Sequence, residues 1–87
     1  MRIIISGRAE KELKRITKID QIAIARKIRF LAKNLPISEE KLIGYKDIFR
    51  LRVGNYRIVY KKTSREIYIV LIHHRKDVYR IAHKLLG

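Results

Sequence analysis

Three arginines, Arg50, Arg52 and Arg57, lie close together in the stretch IFRLRVGNYRIVY (48–60). Apolar and polar residues alternate on both sides of Gly54-Asn55, the pattern of two strands joined by a two-residue turn. The simplest such turn is type II′, with Gly at the position that needs φ > 0. With Gly54-Asn55 as the loop, Val53 faces Tyr56, Arg52 faces Arg57, Leu51 faces Ile58, Arg50 faces Val59 and Phe49 faces Tyr60. Opposed residues share a face, so one face is apolar and the other gathers the three guanidinium groups with Val59 and Lys61. A slip of one residue would drive arginines into the core, so the pattern fixes its own register. Like charges directly opposed cost roughly 0.2–1 kcal/mol per pair. A solvated outer face in a basic protein would tolerate that cost. A phosphate site would use it, because planar five-donor forks match phosphate geometry and Arg stands at all three positions.

A second group follows the apolar run EIYIVLI (66–72): His73, His74, Arg75, Lys76 and Tyr79. Side chains at the end of a rigid strand are well placed for function, and in a meander this end can lie near the arginine face. Most site chemistries are poorly served. There is no cysteine, and His73, His74 and His83 have no helical i, i+4 spacing suited to zinc. Ser6, Ser38 and Ser64 sit in turn or cap contexts rather than in a triad. Only Glu66 and Asp77 remain as acids after the hairpin, and no Gly-rich phosphate loop is present. RNA cleavage suits what is left. The substrate's 2′-OH is its own nucleophile, and the enzyme need only align it, neutralise the phosphorane-like transition state and move protons. Crowded cations lower the pKa of Lys, His or Tyr, so Tyr79, His74 or a lysine can be the proton-transfer group. Tyr79 can equally stack on a base or anchor the C-terminal turn.

Composition points the same way. Twenty-two Lys+Arg against eight Asp+Glu give +14, a field that attracts polyanions and speeds their encounter. That constrains the sign of a partner and not its identity. At 87 residues with 47% hydrophobic content, the chain is expected to be one domain, 1–87, with an economical core. MRIIIS is too short for a signal core and no run approaches a membrane span, so a cytoplasmic protein without membrane contact is expected.

The elements that must position these groups follow in order. Arg2–Ile5 reads as a strand, and Ser6 as the N-cap of a helix over Gly7–Thr17 with Ala9, Leu13 and Ile16 inward. Asp20 is the expected cap of a second helix reaching about Asn34, with Ile24, Ile28 and Leu31 inward, stopped by Pro36. Residues 36–47 read as a loop or single turn, with Leu42 and Ile43 tucked under the body and Gly44 permitting a sharp bend. After the hairpin, Thr63-Ser64-Arg65 turns the chain into strand 66–72, apolar on both faces and so interior. Asp77 then caps a last helical turn or two, with Val78, Ile81 or Ala82, and Leu85 inward. The expected fold class is α+β: an N-terminal strand, an α-helical hairpin covering one sheet face, a three-stranded antiparallel meander and a short C-terminal helix.

KLIGYKDIFRLRVGNYRIVYK and, after a buried strand, HHRKDVYR together resemble the RelE/ParE superfamily of toxins from prokaryotic toxin–antitoxin pairs, over essentially the whole chain. The resemblance implies a microbial ribonuclease-like fold. In the RelE branch it implies ribosome-dependent cleavage of mRNA through the 2′-OH, leaving a 2′,3′-cyclic phosphate and blocking translation. Arg50 and Arg52 match family positions where lysines also occur; Arg57, Arg75 and Tyr79 match the remaining catalytic positions. Lys61, His74 and Lys76 are the accompanying RNA-binding candidates. Arginine holds its proton too tightly to act easily as a base, which shifts that role toward Tyr79 or His74. The resemblance further implies no metal or other cofactor, a RelB-like antitoxin partner, ribosome and mRNA as targets, and a toxin–antitoxin hetero-oligomer on operator DNA. The alternative is a ParE-like, non-nucleolytic poison of DNA gyrase.

Overall fold

The computed structural model describes residues 1–87. The alternation in 48–60 becomes β3 (Ile48–Val53) and β4 (Tyr56–Lys62), paired antiparallel with Phe49 opposite Tyr60, Arg52 opposite Arg57 and Val53 opposite Tyr56. Gly54 has φ +59, as the two-residue turn requires. The next strand, β5 (Glu66–His74), pairs antiparallel with β4, and a register shift at Val59/Tyr60 bends the ladder. β1 (Arg2–Ile5) runs parallel to β5 on its far side. Residues 36–47 are not simply a loop: β2 (Glu39–Lys41) pairs with β3 and completes a five-stranded sheet of order β1-β5-β4-β3-β2.

Helix α1 (Gly7–Lys14) starts at Ser6, whose Oγ accepts from the Ala9 N–H at 3.0 Å and donates to the Val70 carbonyl at 2.8 Å. It ends before Thr17, because Thr17 and not Asp20 is the N-cap of α2 (Lys18–Ala32), and the Thr17 hydroxyl donates to Asp20 instead. Asn34, at φ 55, turns the chain out of α2. Ile24, Ile28 and Leu31 of α2 meet Leu51, Ile58, Tyr60, Ile67 and Ile69 of the sheet in the larger core cluster. Burying each such side chain is worth about 1.5–3 kcal/mol, so this face anchors the sheet.

The other face is not open throughout. The C-terminal helix α3 (Val78–Leu86) runs for nine residues rather than a turn or two. It lays Val78 and Ala82 on Leu42, Ile48, Val59 and Leu71 in a second cluster. Helices therefore cover both sheet faces, and Val59 is core rather than part of the arginine surface. Leu85 and Ile43 are exposed, contrary to expectation, while Leu42 is buried and Leu86 packs partly inward. No helix is long and apolar enough to cross a membrane.

Candidate functional site

α3 covers only one end of its sheet face. At the hairpin end the polar residues of β3 and β4 stay uncovered, and the chain leaving β5 folds back beside them. Its crossing is fixed by the backbone: the Arg75 N–H donates to the Asn55 carbonyl in the hairpin turn at 2.8 Å. The result is a cleft of about 410 Å³ lined by Arg50, Arg52, Arg57, Arg75, Lys76 and Tyr79, with Ser38 and Glu40 at the β2 edge.

Arg57 is the buried member, only 8% exposed. Its Nη1 donates to the Gly54 and Tyr56 carbonyls at 3.0 and 2.9 Å, which holds the guanidinium against its own turn. No carboxylate pairs with it, and none of its nitrogens is both sealed from solvent and unpaired. Its remaining donors therefore open on the cleft. A buried charge without a counter-ion is costly, and an anion in the cleft would relieve that cost.

Arg50 is shared between two neighbours. Its Nη2 donates to Glu40 Oε2 at 2.9 Å, and its Cζ lies 5.1 Å from the Tyr79 ring centroid, within cation–π range. That hydrogen bond, and then the positive charge of Arg50, hold the Glu40 carboxyl below the usual carboxylate range, and the same bond raises Arg50 further. Glu40 is thus an ionised acceptor in a cationic cleft. Tyr79, half-buried on the first turn of α3, is positioned by the cation–π contact. Arg52, Arg75 and Lys76 are exposed with no acidic partner and can reach a ligand freely.

Six of the eight expected site residues meet here: Arg50, Arg52, Arg57, Arg75, Tyr79 and Lys76. Two do not line the cleft. Lys61 lies at the other end of β4, opposite Ile48 on β3. His74 is still in β5, directly opposite Tyr56, and with His73 lines a groove beside α1. The strand runs two residues past 72, so the histidines are strand residues rather than loop residues. Glu40 and Ser38 were not expected. Their signal was faint: three polar residues form no visible alternation, and only pairing with β3 places Glu40 opposite Arg50. No group of three His, Asp or Glu side chains is close enough to hold a metal ion.

A family model of the ParE toxin of type II toxin–antitoxin systems matches residues 3–79. A RelE-like toxin protein of Escherichia coli is 31% identical over 80 residues, spanning 85% of this chain and 84% of the relative. The RelB–RelE antitoxin–toxin complex from Methanococcus jannaschii contains a chain that superposes with a TM-score of 0.77 at 27% identity, covering 90% of this chain and 96% of that one. The isolated E. coli RelE toxin superposes with a TM-score of 0.74 at 21% identity, covering 99% and 98%.

Proposed function

The chain belongs to the ParE toxin family of type II toxin–antitoxin systems, and on that premise we propose that it is an endoribonuclease that cuts mRNA on the ribosome and so stops translation. The observation that carries this reading is Arg57, a buried guanidinium without a counter-ion, opening on a cleft with four more cations, a tyrosine and one ionised carboxylate. In the proposed reaction the scissile phosphate sits against Arg57, with Arg52 and Arg75 closing on its oxygens. The 2′-oxygen attacks phosphorus in line, the bond to the 5′-oxygen breaks, and a 2′,3′-cyclic phosphate remains. Guanidinium groups aimed where charge develops stabilise the phosphorane-like transition state. Glu40 accepts the 2′-OH proton and Tyr79 donates its phenol proton to the leaving 5′-oxygen, the resulting phenolate resting beside Arg50 until exchange with water restores both groups. Arg50 orients both through its two contacts.

The partners proposed with this activity are the ribosome, its bound mRNA and a RelB-like antitoxin. An acidic or amphipathic antitoxin suits the +14 charge, and the M. jannaschii relative is seen with its RelB. Operator DNA binding by the toxin–antitoxin hetero-oligomer is proposed with them. The match to the ParE family model also favours a second reading, a non-nucleolytic poison of DNA gyrase. Primer extension on transcripts from cells expressing the protein separates the two. The nuclease gives new 5′ ends that depend on active translation, and Arg57→Ala and Tyr79→Phe each lower cleavage by about 10²-fold or more. Filamentation and DNA damage with intact transcripts would give the gyrase reading.

A further inference from the structure

The side of the sheet that carries α1 and α2 holds a second groove, about 720 Å³, between α1 and the end of β5. Lys11 of α1 and Arg15 at its C-cap line one wall, Tyr56, His73 and His74 the other. Its one acid, Glu12, is already engaged: it accepts from the Ile72 N–H at 3.0 Å, lies 3.0 Å from His73 Nδ1, and is paired with Arg8 Nε at 3.4 Å. Lys11 and Arg15 have no acidic partner, so the groove keeps a net positive lining. Tyr56 and His74 meet edge to face with centroids 5.7 Å apart, which places aromatic surface beside the cations.

This groove adjoins the arginine cleft across the end of the sheet. Four successive residues straddle the sheet end: His73 and His74 line the groove, Arg75 and Lys76 line the cleft. Tyr56 and Arg57 repeat the division on β4, and the backbone bond from Arg75 to Asn55 ties the two crossings together.

We propose that an RNA strand engaged in the cleft continues over the 73–76 crossing into this groove. There Lys11 and Arg15 meet its phosphates, and Tyr56 with His74 supplies a stacking platform for a base. Cations that follow a backbone beside aromatic rings are the general means of holding single-stranded nucleic acid. An acidic peptide would also be drawn to the cations, but the shared crossing at residues 73–76 and the paired rings favour the same RNA strand. The proposal rests on the RNA reading of the cleft.

The test measures affinity of the full chain for 2′-O-methyl oligonucleotides, which cannot be cut, in tetranucleotide and hexadecanucleotide forms. Lys11→Ala/Arg15→Ala is expected to weaken the longer strand about tenfold and the shorter less than about twofold. The salt dependence for the longer strand should become shallower by about 0.7 in log–log slope for each phosphate that the variant no longer neutralises. Arg52→Ala should weaken both lengths. If the groove variant weakens both lengths equally, or neither, the groove proposal fails. If Arg52→Ala weakens neither, the cleft reading itself fails. A groove variant that binds both lengths normally but loses a purified antitoxin would give the groove to a protein partner and overturn the proposal. Matching thermal melts of variant and parent exclude misfolding.

Discussion

Arg57 is held where folding alone gives little reason to hold it. Its charge is nearly sealed from water, its visible partners are two neutral carbonyls, and Arg52 stands directly opposite. Replacing an uncompensated buried charge by an apolar side chain of similar length is often stabilising. Arg57→Met should therefore raise the unfolding free energy by about 1 kcal/mol in urea while removing the proposed RNA cleavage, a trade expected of a site residue and not of a structural one. Tyr60 is the converse case. It is fully buried, its hydroxyl donates to Glu39, and Glu39 also binds Lys62. Burial, reinforced by the Glu39 hydrogen bond and charge, pushes the Tyr60 phenol well above its ordinary value. A group whose pKa is raised on folding contributes stability that is full below its unfolded pKa and lost as pH rises beyond it. Thermal melts should therefore fall above about pH 10, and Tyr60→Phe should flatten that decline while costing about 1–3 kcal/mol at neutral pH. The arginines were legible in the sequence because period-two alternation assigns every hairpin residue to a face. Glu40 was not, because its place depends on pairing with a strand ten residues away.

At the scale of elements, the strong local signals survived and the weak ones yielded to packing. The hairpin register followed from its turn, and the Ser6 cap set the start of α1. The edge strand β2 could not be seen in ISEEK, since three charged residues give neither alternation nor β-propensity; pairing with β3 and the bonds of Glu39 to Tyr60 and Lys62 hold it. The length of α3 was hidden because its apolar positions complete a core with Val59 and Leu71, which were already credited to the sheet. That helix decides the extent of the site, since it seals one end of the second face and leaves the arginines at the other. The turn that sets their register makes a specific demand. Gly54 has φ +59, and a Cβ there would meet nothing within 4 Å, so Gly54→Ala is penalised by backbone conformation alone. It should lower stability by about 1–2 kcal/mol, read from the denaturation midpoint with an unchanged m-value.

For the whole molecule, one charge distribution acts on folding and on binding with opposite sign. Carrying +14, the folded chain repels itself, and the cleft concentrates that repulsion because Arg50, Arg52, Arg57, Arg75 and Lys76 share it with a single carboxylate. The ion pairs present are mostly exposed or within one helix, and such pairs contribute little. Salt that shortens the screening length from about 10 Å at 0.1 M to about 3 Å at 1 M should relieve self-repulsion more than it weakens those pairs. The same salt should remove the counterion-release term that would drive the proposed RNA binding, with a log–log slope of about −0.7 for each phosphate contacted. Raising sodium chloride from about 0.05 to about 0.5 M is therefore expected to raise the melting temperature of the free protein while lowering its RNA affinity by several orders of magnitude. Calorimetry and fluorescence anisotropy on one preparation measure both. A melting temperature that falls with salt would mean that the exposed pairs, and not cationic repulsion, dominate the electrostatics of this fold.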